Sequence, residues 1–226
     1  NKIINEGGYT LDDNFVEVFS SDNNSSSEII FPLIADAAVS QSYGNTTYII
    51  NGSMNSATMN TTLYGNPGGN DGWAGHRATK AWYGLFGNLG TSTDDRAQLF
   101  WTAGHTYEMT DYKEWTNGYP SIKFRNSNFI GATTPTGFSG TDFPLFRLAD
   151  AYLMYAECVV RGAAGGTINQ AVDYVNDVRE RSNAAVITAG DLDLDFIIDE
   201  RGRELNLEGH RRSDLIRFGM FTGGSY

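Results

Sequence analysis

At residue 143 the sequence changes character. From there Leu145, Leu148, Ala149, Tyr152, Leu153, Ala156, Val159 and Val160 recur at the three-and-four spacing of a helix with one buried face. The glycine-containing stretch 162–166 ends that helix. A second follows with Ala171, Val172, Val175 and Val178 inward, Asp173, Asp177, Arg179 and Glu180 outward, and Thr167 as its N-cap. A third is expected over residues 191–207. The spacing therefore predicts a helical C-terminal part over residues 143–226.

Residues 1–142 read differently. Short apolar runs alternate with turn-forming clusters such as Asp22-Asn23-Asn24-Ser25-Ser26-Ser27 and Asn66-Pro67-Gly68-Gly69-Asn70-Asp71-Gly72, which leave little room for long elements. Residues 28–35, 46–50 and 99–102 read as short strands. So do residues 120–125, where Ile122 and Phe124 alternate with Lys123 and Arg125 as on a half-buried strand. One helix is expected at residues 76–87, with Ala78, Ala81, Trp82 and Leu85 on a common face. The expected fold class is mostly α with irregular loops and a few short strands, a loop-rich subdomain (1–142) preceding the helical part. The helix, turn, helix pairing at 145–181 resembles one tetratricopeptide-like unit, but no repeat at a fixed period accompanies it, and one pair does not close a solenoid. The helical layer reads as incomplete, which predicts exposed apolar surface on the helix at 145–160.

Composition narrows the function. The 226 residues carry 16 Lys and Arg against 27 Asp and Glu, a net charge of −11. That is the wrong sign for binding a phosphate backbone, so nucleic acid is not an expected partner. The longest apolar run, 29–35, contains Pro32 and falls far short of the ~20 residues of a membrane-spanning helix. Cys158 is the single cysteine, which excludes an internal disulfide or a thiolate cluster, and its place in an apolar helical pattern predicts a small buried hydrophobe. The first residues, Asn1-Lys2-Ile3, show neither an initiator Met nor a basic-then-apolar leader.

No catalytic motif stands out. Asp191, Asp193 and Asp195 alternate like the start of a calcium loop, but Phe196 occupies the sixth position, where such a loop needs Gly. Acids in a first helical turn explain them, with calcium shared with other carboxylates as the alternative. Residues 199–217 form the densest charge cluster, and acids over residues 191–214, such as Glu204 and Asp214, are the candidates if the chain is a glycoside hydrolase. Each has arginines near it in sequence, which lowers carboxyl pKa values where a general acid needs one raised, so forked Arg-carboxylate pairs locking helices together are the expectation. His76, His105 and His210 lack metal-ligand spacing, and the glycine-rich loop at 65–75 lacks the Gly-Lys-Ser/Thr ending of a phosphate loop. What remains is a set of aromatics on polar, turn-rich segments: Tyr43, Tyr48, Tyr64, Trp73, Tyr107, Tyr112, Trp115 and Tyr119. Such rings suit sugars, because the apolar face of a pyranose stacks on them while its hydroxyls find short polar partners.

Three segments then carry a family resemblance: Phe143-Pro144-Leu145-Phe146-Arg147-Leu148-Ala149-Asp150-Ala151-Tyr152, residues 169–181, and Ile198-Asp199-Glu200-Arg201-Gly202-Arg203-Glu204-Leu205 leading to Glu208-Gly209-His210-Arg211-Arg212-Ser213-Asp214-Leu215-Ile216-Arg217. With Glu28-Ile29-Ile30-Phe31-Pro32 and Gly72-Trp73-Ala74-Gly75-His76 upstream, the chain resembles the SusD/RagB family of outer-membrane glycan-binding lipoproteins along nearly its whole length. It is similar to the family's starch-binding member in particular. The resemblance implies a helical layer of tetratricopeptide-like units against an irregular subdomain, and a non-catalytic role. That role is capture of starch or malto-oligosaccharides at the extracellular face of the outer membrane and delivery to a SusC-like TonB-dependent transporter, with no cofactor required. It further implies that Tyr48 and Trp73 belong to an arc of sugar-stacking aromatics. Family members begin with a lipidated Cys and several N-terminal helices and end with a Pro-rich tail, so the chain reads as a middle and C-terminal part, and membrane attachment would run through a lipid anchor absent from this sequence. A helical protein-binding scaffold without sugar affinity is the remaining alternative.

Overall fold

The computed structural model describes residues 1–59, 72–129 and 137–222. Within them helices supply most of the regular structure. In chain order these are α1 (Lys2–Glu6), β1 (Ile29–Leu33), α2 (Asn45–Gly52), α3 (Lys80–Tyr83), β2 (Phe143–Arg147), α4 (Leu148–Val160), α5 (Ile168–Glu180), α6 (Leu194–Glu204) and α7 (Arg211–Arg217).

The helical part is built largely as its spacing predicts. Helices α4 and α5 lie antiparallel, with Tyr174 stacked on Tyr152 (centroids 4.4 Å apart) and edge-on to Tyr155 (5.0 Å). Leu153, Ala156, Ala171, Val175, Ile197 and Leu205 close a core between α4, α5 and α6. The Thr167 side chain caps α5 by accepting from the Gln170 N–H at 3.2 Å, and the Asp193 carboxylate caps α6 by accepting from the Phe196 N–H at 2.7 Å. Asp191 accepts from Thr188.

Several expectations change. Leu145 is not on the α4 face: residues 143–147 pair antiparallel with β1, Pro32 opposite Pro144, and the helix begins only at Leu148. Pro144 holds its predecessor extended, and the Leu148 N–H is taken by the Glu28 carbonyl (3.0 Å). Residues 46–50 form not a strand but the middle of α2. The β-branched threonines that suggest a strand are used otherwise: the Thr46 hydroxyl donates to the Thr141 carbonyl (2.7 Å), and the Thr47 hydroxyl accepts from the Ser139 N–H (2.9 Å). Residues 99–102 and 120–125 are not strands either. They meet at one bridge, Phe100 to Ser121, flanked by two backbone hydrogen bonds, and Lys123 is as buried as Ile122 and Phe124. The helix expected at 76–87 shrinks to α3 and a 3-10 turn, because Ala78 pairs with Tyr119. Tyr83 and Phe86 point inward there and Ala81 outward. Cys158 is exposed, on an α4 face shared with Met154 and facing α1 across a groove of about 480 Å³.

Between the loop-rich and helical parts lies a buried network of ions. Glu204 accepts from Arg147 (2.7 Å), Arg96 (2.8 Å) and Arg181. Glu200 accepts from Arg96 (2.9 Å), Arg179 (2.5 Å) and Arg203 (2.8 Å). Glu208 bridges Lys123 (2.5 Å) to Arg147 (2.6 and 2.8 Å), Glu28 joins Arg147 (2.7 Å) to Arg181 (2.5 Å), and Asp94 grips Arg96 with both oxygens. Arg179, expected outward, is thus drawn in by Glu200. The forked pairs expected for residues 199–217 are present, but their cations come mainly from far along the chain rather than from neighbouring positions. A second clamp, Arg201 between Asp150 (2.7 Å) and Asp214 (2.8 Å), ties α4, α6 and α7 together.

The network fixes the acid response. Burial alone would raise these carboxyls, yet the cations around them win: Arg96, Arg203 and Arg179 hold Glu200 down at about 2, and Glu204 and Glu208 are likewise lowered by their arginines. A folded-state pKa below the ordinary 4.5 means that the unfolded chain binds more protons between those values, so stability falls as pH falls. Denaturation midpoints in urea should be flat from pH 7 to about 5 and drop steadily from there toward pH 2. A midpoint that rises on acidification contradicts this assignment.

Candidate functional site

The loop-rich part presents a patch of exposed aromatic rings. Its base is α2, which buries Thr46, Thr47 and Ile50 and leaves Tyr48 outward, 53% exposed. The last carbonyls of a helix need partners outside it. Here residues 73–76 supply them: the Trp73 N–H donates to Asn51 O (2.7 Å), Ala74 to Met54 O (2.8 Å), and Gly75 and His76 both to Gly52 O (2.9 and 2.6 Å). This stitching sets Trp73 beside Tyr48, ring centroids 6.0 Å apart, and the Tyr43 ring lies 6.3 Å from Trp73. Phe138 lies 5.2 Å from Tyr43, carried by the segment that Thr46 and Thr47 hold. His76 meets the Tyr48 ring edge-on at 4.6 Å, and burial lowers its pKa, which favours a neutral imidazole under the tyrosine. Arg77 fastens the loop from behind, donating to the carbonyls of Gly75, Tyr112, Glu114 and Asn117.

Both aromatics singled out from the sequence, Tyr48 and Trp73, therefore meet on one surface. Tyr43 joins them, and Phe138 and His76, for which no spacing gave a signal, complete its edges. The other rings go elsewhere. Tyr107 and Tyr119 gather around Tyr83, Trp115 packs on His105 and Arg77, Tyr112 stands exposed beside Lys113, and Tyr64 lies outside the described residues, as does most of the 65–75 loop. The Tyr43 and Tyr48 rings are inclined to Trp73 by 54° and 55°, so the patch is not flat.

Gly52 is the tightest point of this construction. A Cβ there would fall 2.1 Å from the His76 ring. Gly52→Ala must displace His76 and with it the support of Tyr48, at about 1–3 kcal/mol of stability. Thermal denaturation should show the loss, and Tyr48 should become more mobile by NMR. An unchanged melting curve would mean that His76 moves away freely.

The acids proposed for catalysis are placed differently. Glu204 is fully buried among three arginines, and Asp214 is held by Arg201 and Arg217. Among the described residues no group of three or more His, Cys, Asp or Glu side chains is placed to hold a metal ion, and no helix is long and apolar enough to cross a membrane.

The architecture, short helices and long ordered loops packed on a helical layer, is the one found in solved SusD-superfamily and surface glycan-binding proteins. Surface glycan-binding protein A from Bacteroides thetaiotaomicron superposes with a TM-score of 0.68 at 23% identity, over 97% of this chain and 48% of that one. The same protein in complex with laminarihexaose gives 0.68 at 24% identity, over the same shares of the two chains. A SusD superfamily protein from Bacteroides vulgatus gives 0.67 at 22% identity over the whole of this chain and 44% of its own. In sequence, the starch-binding protein SusD of Bacteroides thetaiotaomicron is 32% identical over 96% of this chain and 46% of its own length, and the SusD-like protein P25 of Formosa agariphila is 46% identical over 34% of this chain and 15% of its own. The SusD family model matches residues 97–225. This chain belongs to the SusD family, and it spans about half the length of the relatives it matches.

Proposed function

We propose that this chain forms the sugar-contacting part of a non-catalytic glycan-binding protein at the cell surface, and that its ligand is starch or a malto-oligosaccharide. The observation that carries the reading is the convergence of Tyr43, Tyr48 and Trp73 into one exposed patch whose rings are tilted to one another across Trp73, which we take to follow a curved chain. Stacking on a ring pairs the C–H face of a glucose unit with an aromatic face, and rings inclined to one another follow a chain that curves, as α-linked glucans do. A relative named for starch binding supports the choice of glucan. The structural neighbour bound to laminarihexaose makes a β-linked glucan the natural comparison. Calorimetric titration should show maltoheptaose binding, with laminarihexaose weaker and the straight chain of cellohexaose weakest. Cellohexaose binding as tightly as maltoheptaose would refute the curved-surface reading.

The charge network supports a role without catalysis. A glycosidase needs one carboxyl raised enough to donate a proton, whereas Glu200, Glu204 and Glu208 are lowered and buried. Starch incubated with the protein should release no reducing ends; release that co-purifies with the folded protein would restore the hydrolase reading. Within the same proposal, bound glycan passes to a SusC-like TonB-dependent transporter in the outer membrane, to which the protein is attached by a lipid. Absence of hits on a glycan array, together with co-purification with a transporter barrel, would favour a protein-binding scaffold instead.

A further inference from the structure

A second cleft, of about 700 Å³, opens on the loop-rich part and shares no residue with the Tyr48 and Trp73 surface. Phe100, 2% exposed, lies at its base, and Tyr107 and Tyr119 stand along one wall with ring centroids 6.2 Å apart at 73°. The wall is rigidly backed. Buried Tyr83 packs 4.5 Å from Tyr119 and 5.0 Å from Tyr107, and its hydroxyl donates to the Tyr107 carbonyl. Tyr107 itself is 44% exposed. Opposite, Asn88 accepts from the Gly90 N–H (3.0 Å) through Oδ1, and Gln98 donates to the Leu89 carbonyl (3.1 Å) through Nε2. Those bonds leave an amide donor on Asn88 and an amide acceptor on Gln98 for a ligand, while Gly87, with a positive φ of 67°, keeps side-chain bulk off the rim.

Among the described residues no side chain lining the cleft is charged, in a chain whose net charge is −11. An ionised ligand would lose its hydration there without compensation. A neutral molecule with one apolar face and a ring of hydroxyls would stack on Tyr107 and bond to the two amides. We propose that this cleft is a second saccharide site, taking a neutral pyranose unit, so that one polysaccharide strand or two neighbouring strands engage the protein at two places. The Ala78 to Tyr119 pairing, two residues beyond His76, joins the two surfaces through one rigid segment, and a long glucan held at one would meet the other at raised effective concentration.

The choice of probe rests on the glucan reading above, and the experiment separates the two. In 15N-labelled protein carrying Tyr48→Ala and Trp73→Ala, millimolar maltotriose is expected to shift the amides of Gly87, Gly90 and Gln98 saturably. Adding Tyr107→Ala or, independently, Gln98→Leu should lower that residual affinity at least fivefold with the far-UV spectrum unchanged. The proposal is overturned if maltotriose, laminaritriose and cellotriose all leave amides 87–98 unmoved, or if the shifts saturate with equal affinity in both cleft variants. Failure of the first site shows separately, as unmoved amides at Gly52 and Trp73 in the parent protein.

Discussion

Glu204→Ala is expected to cost about 3–5 kcal/mol, enough to leave much of the protein unfolded at 37 °C, because it strands Arg96, Arg147 and Arg181 in the interior without their shared carboxylate. Urea denaturation followed by tryptophan fluorescence measures the loss. Trp101, fully buried in the loop-rich core, reports on that side of the network. The contrast is Glu108→Ala, which breaks the Lys80 pair at the surface, both partners more than half exposed, and should change stability by under about 1 kcal/mol. If the two variants unfold at the same urea concentration, the network is not what holds the loop-rich and helical parts together.

Removing either platform ring should weaken glucan binding without touching the fold. Tyr48→Ala and Trp73→Ala are each expected to cost about 1–3 kcal/mol, roughly 5- to 150-fold in Kd for maltoheptaose. Both rings are about half exposed, so little core is lost with them. Tyr112→Ala, equally aromatic and more exposed but away from the platform, serves as the control and should leave Kd unchanged. Unaltered affinity in the Tyr48→Ala, Trp73→Ala double variant would move the glycan elsewhere on the surface.

The helical part was largely legible because its periodicity is long and its caps are local: Thr167 caps α5 as its position predicts, whereas Asp193, expected within the first turn of the third helix, stands just before it as the N-cap of α6. The loop-rich part was not, since its conformation is decided by distant partners. Thr46 and Thr47 sit in a helix because the Thr46 hydroxyl donates to the Thr141 carbonyl and the Thr47 hydroxyl accepts from the Ser139 N–H, and Lys123 is buried because Glu208 lies across from it. The same limit applies to the site. Residue type and the family resemblance single out Tyr48 and Trp73, but Phe138 and the supporting His76 come from segments whose proximity no spacing encodes. Exposed Cys158 shows a milder failure: an apolar stretch on a helix does not say which of its residues lies at the seam with α1.

The ordering of the ion network along the chain bears on how the protein is made. Translation delivers Arg96, Lys123, Arg147, Arg179 and Arg181 first and Glu200, Glu204 and Glu208 last. Until residues 200–208 emerge, the ion-pair partners of those cations among the described residues are Glu28 and Asp94 alone, and burying them would be prohibitive. Contacts of such wide sequence separation are slow to form. The loop-rich half should therefore remain uncommitted on the ribosome until the three glutamates arrive. Synthesis order, and not only sequence separation, thus delays commitment of the residues that carry the aromatic patch.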